Sequence, residues 1–482
     1  MLTTAEPLEW NAGNGHLVHT DAGDYLLHVP TTALFGLDPM GRAIIDLCRI
    51  GGGRTLDELT GELGKSFEPA RVQAFAAELR KLEILQPAGH LRPLNPTGVK
   101  VGSYPLSTLV LNVNTGCNLS CTYCYKEDLA KPIDGRKMDF VTAARSVDLL
   151  FRTGASRDRL NIVFFGGEPL TNVPLIQQVT AYAEDQAQRA GKSIDFSLTT
   201  NATLLTPALA EYFDTHRFGI SVSMDGPKAL HDRHRRSVGG RGTYDAVARK
   251  VRMLLDRYRS RPVGARVTLG GGNTEVEAIH RHLRDELGFH EVGYAPVTSG
   301  TQDAHALSEE ELIEVHRAFE RLGEDYRRAA LRGDNNGFSN MHQLMTDLHE
   351  GRRKALPCGA GVGLLAVDGK GDLNLCHRFT GSDMPRFGSV TAGIDAGKLG
   401  AFIERAIDRE GTHCETCRIR NLCAGGCYHE SYARFGDPHH RTYHYCDLLR
   451  RWVDFGVQVY AEIQRCNPSF FSRHIEPRSL PS

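Results

Sequence analysis

The 482-residue chain lacks any excess of charge: 57 lysines and arginines stand against 58 aspartates and glutamates, a formal net charge of −1. Without a global field there is no bulk electrostatic basis for a nucleic-acid or membrane-surface partner. Also missing is any run of about 18 or more apolar residues, so no membrane span is expected. The opening residues, Met1-Leu2-Thr3-Thr4-Ala5-Glu6, lack the basic, apolar and small-residue succession of an export signal, and a cytoplasmic location is expected. Cysteine is scarce in the first hundred residues, where Cys48 stands alone, yet the chain has 12. Three fall between Cys117 and Cys124 and eight between Cys358 and Cys466. In a reducing compartment, thiols grouped at two- to five-residue spacings argue for metal or redox chemistry rather than disulfides.

A chain of this length suggests roughly three domains. Residues 16–36 alternate and turn as a hairpin, and helical patterns follow at 41–49, 55–63 and 68–85, the second opening on the capping box Thr55-Leu56-Asp57-Glu58. The result, over 1–90, is a small winged-helix-like module. DNA binding is the common use of such a fold. Here the third helix carries Glu68, Glu78 and Glu83, a poor phosphate footprint, which leaves a module whose strand edge pairs with an extended peptide. Residues 86–105 are rich in proline and glycine and read as a linker. Strands at 109–114, 161–165, 194–200, 219–224, 264–269 and 292–297 then alternate with helical patterns. This α/β succession implies a parallel, incomplete barrel over 104–300 with its site at the C-terminal strand ends. Residues 301–350 contain a polar bridging helix near 308–332. Beyond Pro357, glycine, cysteine and aromatics dominate with little periodicity, suggesting a cluster-supported domain over 351–466 and a tail over 467–482.

Directly after the first barrel strand stands Cys117-Asn118-Leu119-Ser120-Cys121-Thr122-Tyr123-Cys124. Structural zinc is normally closed by four ligands, whereas three thiolates on a four-iron cluster leave one iron open to a small molecule. Gly166-Gly167-Glu168-Pro169 follows the second strand; glycines permit close backbone approach and the carboxylate can accept from an ammonium group. Thr199-Thr200-Asn201 ends the third strand and Ser221-Val222-Ser223-Met224-Asp225-Gly226-Pro227 the fourth. Near the end lie Cys358 and Cys376, then Cys414, Cys417, Cys423 and Cys427, then Cys446. The four-cysteine core alone is compatible with a zinc ribbon; seven cysteines are an awkward number for zinc.

On these motifs the barrel segment resembles the radical S-adenosylmethionine (SAM) superfamily, and the C-terminal pattern resembles its SPASM extension. The resemblance implies a partial (β/α)6 radical SAM barrel with an N-terminal peptide-recognition domain of PqqD-like type and a C-terminal iron-sulfur domain. It implies three 4Fe-4S clusters: one on Cys117, Cys121 and Cys124, one on Cys414, Cys417, Cys423 and Cys446, and one on Cys358, Cys376 and Cys427 with a ligand position left for a substrate thiolate, water, a backbone group or Cys466. Tyr123, Gly166, Gly167, Glu168, Asn201, Ser223, Asp225 and Arg235 would contact SAM. Ala202 stands where the family usually has glycine, which weakens the inference at Asn201. For Arg235 a solvated surface position is the competing reading.

The domain order and the stretch 25–35 are similar to the maturation proteins of quinohemoprotein amine dehydrogenase. That likeness implies that a 5′-deoxyadenosyl radical installs Cys-to-Asp/Glu thioether bonds in the small subunit of the dehydrogenase, with an external electron donor. Other readings are a sactipeptide or ranthipeptide maturase, formylglycine formation on a sulfatase, or a non-catalytic iron-sulfur or zinc scaffold that binds peptide. No general base can be named, although His429, Glu430, His439 and His440 draw notice.

Overall fold

The computed structural model describes residues 6–21, 23–95, 104–125, 135–298, 304–441 and 444–475. Parts of the sequence-based linker and tail lie outside the described residues. The N-terminal module opens with β1 (Leu8–Trp10), β2 (Gly15–Thr20), β3 (Gly23–His28) and β4 (Ala33–Leu37), followed by α1 (Pro39–Cys48), α2 (Leu56–Leu63), α3 (Pro69–Lys81) and β5 (Leu85–Pro87). The expected hairpin is a three-stranded antiparallel sheet in the order β2-β3-β4. The third helix stops at Lys81, and Leu85 pairs with Trp10 instead. Thr55 and Glu58 form the capping box. Ile44, Ile45, Leu59, Val72 and Ile84 close a core separate from that of the rest of the chain. β4 is an outer strand of its sheet, with Phe35 40% exposed.

The central body continues with β6 (Thr108–Asn114), α4 (Phe140–Thr153), β7 (Arg159–Gly166), α5 (Val173–Ala190), β8 (Ser193–Thr200), α6 (Pro207–Thr215), β9 (Gly219–Ser223), α7 (Lys228–His234), α8 (Tyr244–Arg257), β10 (Val263–Leu269), α9 (Val276–Arg281) and β11 (Glu291–Pro296). These six strands pair in parallel and in chain order. Alternation along each strand builds the two faces. Leu111, Phe164, Leu198 and Ile220 share the register buried under the helices. Asn112, Phe165, Thr199, Ser221, Ser223 and Arg266 share the opposite register, which lines the lumen.

After α10 (Glu309–Arg332) and α11 (Ser339–His349), β12 (Leu364–Val367) pairs in parallel with β6, and β13 (Leu373–Asn374) pairs antiparallel with β12. The C-terminal region thus extends the barrel sheet to eight strands among the described residues. The expectation of little periodicity beyond Pro357 is corrected. The region holds α12 (Ala396–Ile407), α13 (Arg420–Cys423), α14 (Tyr428–Phe435) and the 21-residue α15 (Cys446–Cys466), whose Val453, Val457 and Ile463 are buried. Among the described residues no helix is long and apolar enough to cross a membrane.

Candidate functional site

The thiol loop after β6 is clamped on two sides. Gly167 N donates to Asn114 O at 2.8 Å and Glu168 N to Gly116 O at 3.1 Å, while Ser120 N and Thr122 N donate to Arg236 O and His234 O. The glycine pair serves this clamp: a Cβ on Gly166, at φ +143°, would stand 2.2 Å from Asn114 O, and one on Gly167 2.2 Å from Gly116 O. What the glycines let approach is therefore the thiol loop's own backbone. Burial pushes the Cys117 thiol up to about 12 and Cys121 up to about 11, so both stay protonated until a metal or cation replaces the proton.

Glu168 is buried at the end of β7 and bridges to β8. Its Oε1 accepts from Thr200 Oγ1 at 2.7 Å and Leu170 N at 3.0 Å, and its Oε2 from Asn201 N at 2.7 Å. Desolvation outweighs these bonds and raises the carboxyl to about 7. Three of about four acceptor sites are filled, which leaves room for one more donor. Asn201 Nδ2 lies 3.6 Å from Cys117 Sγ and donates to Asn118 Oδ1 at 3.0 Å. Ala202 adopts φ +62°, the left-handed conformation that glycine takes freely, so the turn at Asn201 is made without the usual residue.

Asp225 gathers the other face. Its Oδ2 accepts from Tyr123 Oη at 2.5 Å and Arg235 Nε at 2.9 Å, and its Oδ1 from Thr268 N at 3.1 Å. Arg235 is buried and also hydrogen-bonds Cys121, so the solvated-surface reading of this residue is corrected. Ser223 sits half-buried beside Arg266 in the lumen register. Sequence reasoning did not single out Arg266, an exposed guanidinium that forms no ion pair among the described residues. Its signal was the alternation of β10, in which an arginine interrupts small polar lumen positions.

The remaining thiols fall into two sets. Cys358, Cys376 and Cys427 act on one another electrostatically, as do Cys414, Cys417, Cys423 and Cys446. Burial raises Cys376 to about 12 and Cys423 to about 11. Cys466 stands apart, exposed at the far end of α15 from Cys446. At about 1.5 Å per residue that helix separates them by roughly 30 Å. His429 lies 5.4 Å from the rings of both Tyr125 and Phe379, next to the first and second thiol sets, and His377 lies 4.2 Å from Phe165 at the lumen. Glu430 is buried and its carboxyl raised by desolvation, His439 lies against Phe402 O at 3.0 Å, and His440 stacks on Phe435. Among the described residues no three His, Cys, Asp or Glu side chains converge on a single-ion site.

Residues 111–284, spanning the thiol loop and the strand ends around it, match the model of the Radical SAM superfamily. The chain carries a radical SAM domain over these residues and is an enzyme of that fold. Radical SAM proteins use a 4Fe-4S cluster and SAM. The enzyme is 25% identical over 346 residues to the serine-type anaerobic sulfatase-maturating enzyme of Klebsiella aerogenes, covering 67% of this chain and 80% of that protein. It is 35% identical over 118 residues to the uncharacterized protein MJ0907 of Methanocaldococcus jannaschii, spanning 24% of this chain and 38% of that protein. In fold it is similar to anSMEcpe with bound AdoMet (TM-score 0.61, 19% identity, 77% of this chain and 99% of the other). SuiB of Streptococcus suis has a TM-score of 0.52 at 16% identity, covering 90% of this chain and 98% of the other.

Proposed function

We propose that this radical SAM enzyme is a peptide maturase that forms Cys-to-Asp/Glu thioether crosslinks, its substrate being the small subunit of a quinohemoprotein amine dehydrogenase. The observation that carries the reading is the incomplete thiol set. Cys358, Cys376 and Cys427 form a set of three, the nearby Cys423 being grouped with Cys414, Cys417 and Cys446, and the neighbour of Cys376, His377, packs on lumen residue Phe165. A substrate thiolate can complete such a set next to the lumen. Arg266, in the lumen register and near enough to Arg378 to feel its charge, suits the carboxylate of the residue to be linked.

In this reading Cys117, Cys121 and Cys124 hold the SAM-binding cluster, and the other two thiol sets hold auxiliary clusters. Their thiol-only, buried donor sets suit iron and sulfide. Bound, these groups supply SAM cleavage and one-electron transfer. The chain's residues position and enclose: Glu168 offers its spare acceptor site to the SAM ammonium, and Tyr123, Gly166, Gly167, Asn201, Ser223, Asp225 and Arg235 shape the loop and strand ends around it. One electron enters to cleave SAM, one C–H hydrogen leaves in 5′-deoxyadenosine, the thiol proton goes to solvent, and one electron is released as the C–S bond forms.

Residues 1–90 are the recognition module in this reading, 104–300 the barrel, 301–350 a bridge, 351–466 the SPASM domain and 467–482 a tail. The open β4 edge suits an added peptide strand. The fold likeness to SuiB, whose structure bound to precursor peptide SuiA covers 91% of this chain at TM-score 0.52, supports a peptide partner. An external reductant and a cytoplasmic setting complete the reading.

The test is anaerobic turnover of the reconstituted full chain with the small subunit, followed by tandem mass mapping. A loss of two hydrogen masses per bond (about 2 Da), located on a Cys and an Asp or Glu methylene, is expected. Conversion of Cys or Ser to an aldehyde would instead favour the sulfatase-maturase reading that the Klebsiella relative suggests. Absence of SAM cleavage would leave a scaffold.

A further inference from the structure

Three arginines of the C-terminal region are buried with no carboxylate paired to them, Asp408 acting on Arg441 only from beyond ion-pair distance. Arg409, Arg420 and Arg441 are 2%, 1% and 9% exposed, and among the described residues none of them forms an ion pair. Their hydrogen bonds go almost entirely to carbonyl oxygens. Arg409 donates to Lys354 O at 3.0 Å, Ala355 O at 3.4 Å and Asn421 Oδ1 at 2.8 Å. Arg420 donates to Gly13 O, Cys417 O, Leu94 O and Asn14 Oδ1, and Arg441 to Arg405 O and Ala406 O. Among the described residues, Arg409 Nε, Arg420 Nε and Arg441 Nη1 remain buried with no acceptor. Taking one cation out of water costs several kcal/mol even after relaxation, and dipoles offset only part of it. Such a group of charges calls for an anion.

All three arginines sit at this thiol set: Arg420 Nη1 donates to Cys417 O at 3.4 Å, Cys414 Sγ donates to Arg441 O at 3.5 Å, and Arg409 holds Asn421, two residues before Cys423; electrostatically Arg409 acts on Cys414, Cys417 and Cys423, Arg420 on Cys417, and Arg441 on Cys414. Arg450, at the rim, hydrogen-bonds the Cys417 sulfur. The other auxiliary set is poorer in positive charge. Cys358 feels no arginine, and Arg378 near Cys376 is turned onto the Tyr125 ring, 4.8 Å away. Four neutral thiols would leave the cations uncompensated, whereas a four-iron cluster on four thiolates is a dianion when oxidised and a trianion when reduced.

We propose that Arg409, Arg420 and Arg441 form a buried cationic cage that neutralises an iron-sulfur cluster on Cys414, Cys417, Cys423 and Cys446 and stabilises its reduced state relative to the three-cysteine set. The cage makes the four-cysteine end the sink for electrons leaving the barrel. The proposal rests on the cluster assignment above but not on the thioether chemistry.

The test is an EPR-monitored potentiometric titration of the reconstituted full chain, with iron and sulfide counted on the same samples. In Arg409→Gln and Arg441→Gln the reduction equilibrium of one cluster is expected to fall at least tenfold, about 59 mV for one electron, with the other clusters unmoved. Arg409→Lys, which keeps the charge, should retain most of the wild-type potential. Fully loaded Gln variants with wild-type potentials at every cluster would overturn the cage. If a Gln variant fails to load, the iron-stripped full chain decides. Removing an uncompensated cation should raise its melting temperature above that of stripped wild type, and an equal or lower value overturns the premise. Wild-type protein loading about four irons per chain would instead sink the cluster assignment itself.

Discussion

Arg235 Nε lies 2.9 Å from Asp225 Oδ2, with the two side chains 8% and 0% exposed, and this buried pair ties the end of β9 to the first thiol loop through Tyr123 and Cys121. Breaking a buried pair from one side strands the other charge. Asp225→Asn is therefore expected to lower stability by about 3–5 kcal/mol, read by anaerobic urea unfolding. The double variant Asp225→Asn with Arg235→Met should recover part of that loss. A single-variant cost under about 1 kcal/mol would mean that the pair is compensated elsewhere.

Glu168 gives the enzyme a pH dependence of known sign. Its carboxyl stands near 7 because desolvation outweighs its three hydrogen bonds. In the folded state it stays protonated to a higher pH than in the unfolded chain, so its contribution to stability declines as pH rises from about 4.5 through about 7. Binding an ammonium group requires the ionised form and runs the other way. SAM affinity should fall toward tenfold per pH unit below about 7 and level off above it, and Glu168→Gln should bind weakly at every pH. Isothermal titration between pH 5.5 and 8.5 would show this; a flat wild-type profile would exclude Glu168 as the ammonium partner.

α15 makes the two terminal cysteines unequal. Cys446 opens the helix beside Cys414 and Cys423, while Cys466 closes it next to Asn467, which is bonded to Ala330 O at 2.9 Å. Cys446→Ala is expected to lose about four of about twelve irons per chain, and Cys466→Ala none. Anaerobic iron and sulfide analysis separates the two, and iron loss from Cys466→Ala would contradict the partition.

The barrel was legible because its physics is local. Each strand alternates between an apolar register and a small polar one, and residues such as Asp139 and Thr206 cap the helices between them. The thiol sets were legible by spacing. What escaped depends on distant parts of the chain. β4 gains its strand character only by pairing with β3, and the two residues of β13 only beside β12. α15 was hidden by its setting in a cysteine- and glycine-rich region, although Val453 and Val457 keep helical spacing. Nothing in the sequence sets Arg409, Arg420 and Arg441 apart, since arginine ordinarily lies at the surface, and only the packed structure shows them inside.

Arg266 tests the substrate assignment without touching the cluster loops. It is a charged residue of the lumen register beside Ser223, close to Gly293, where an added Cβ would stand 3.2 Å from Arg266 Nη1. If it anchors the carboxylate of the Asp or Glu to be linked, Arg266→Gln removes a charge-assisted hydrogen bond of about 1.5–3 kcal/mol. That is roughly a 10- to 150-fold loss in kcat/KM for crosslinking. Cleavage of SAM without peptide should persist near the wild-type rate, and iron content should not change. Arg266→Lys, which keeps the charge but loses the bidentate fork, should fall between the two. A Gln variant that crosslinks normally would remove the carboxylate anchor, and one that also stops cleaving SAM would place Arg266 with the SAM-binding residues instead.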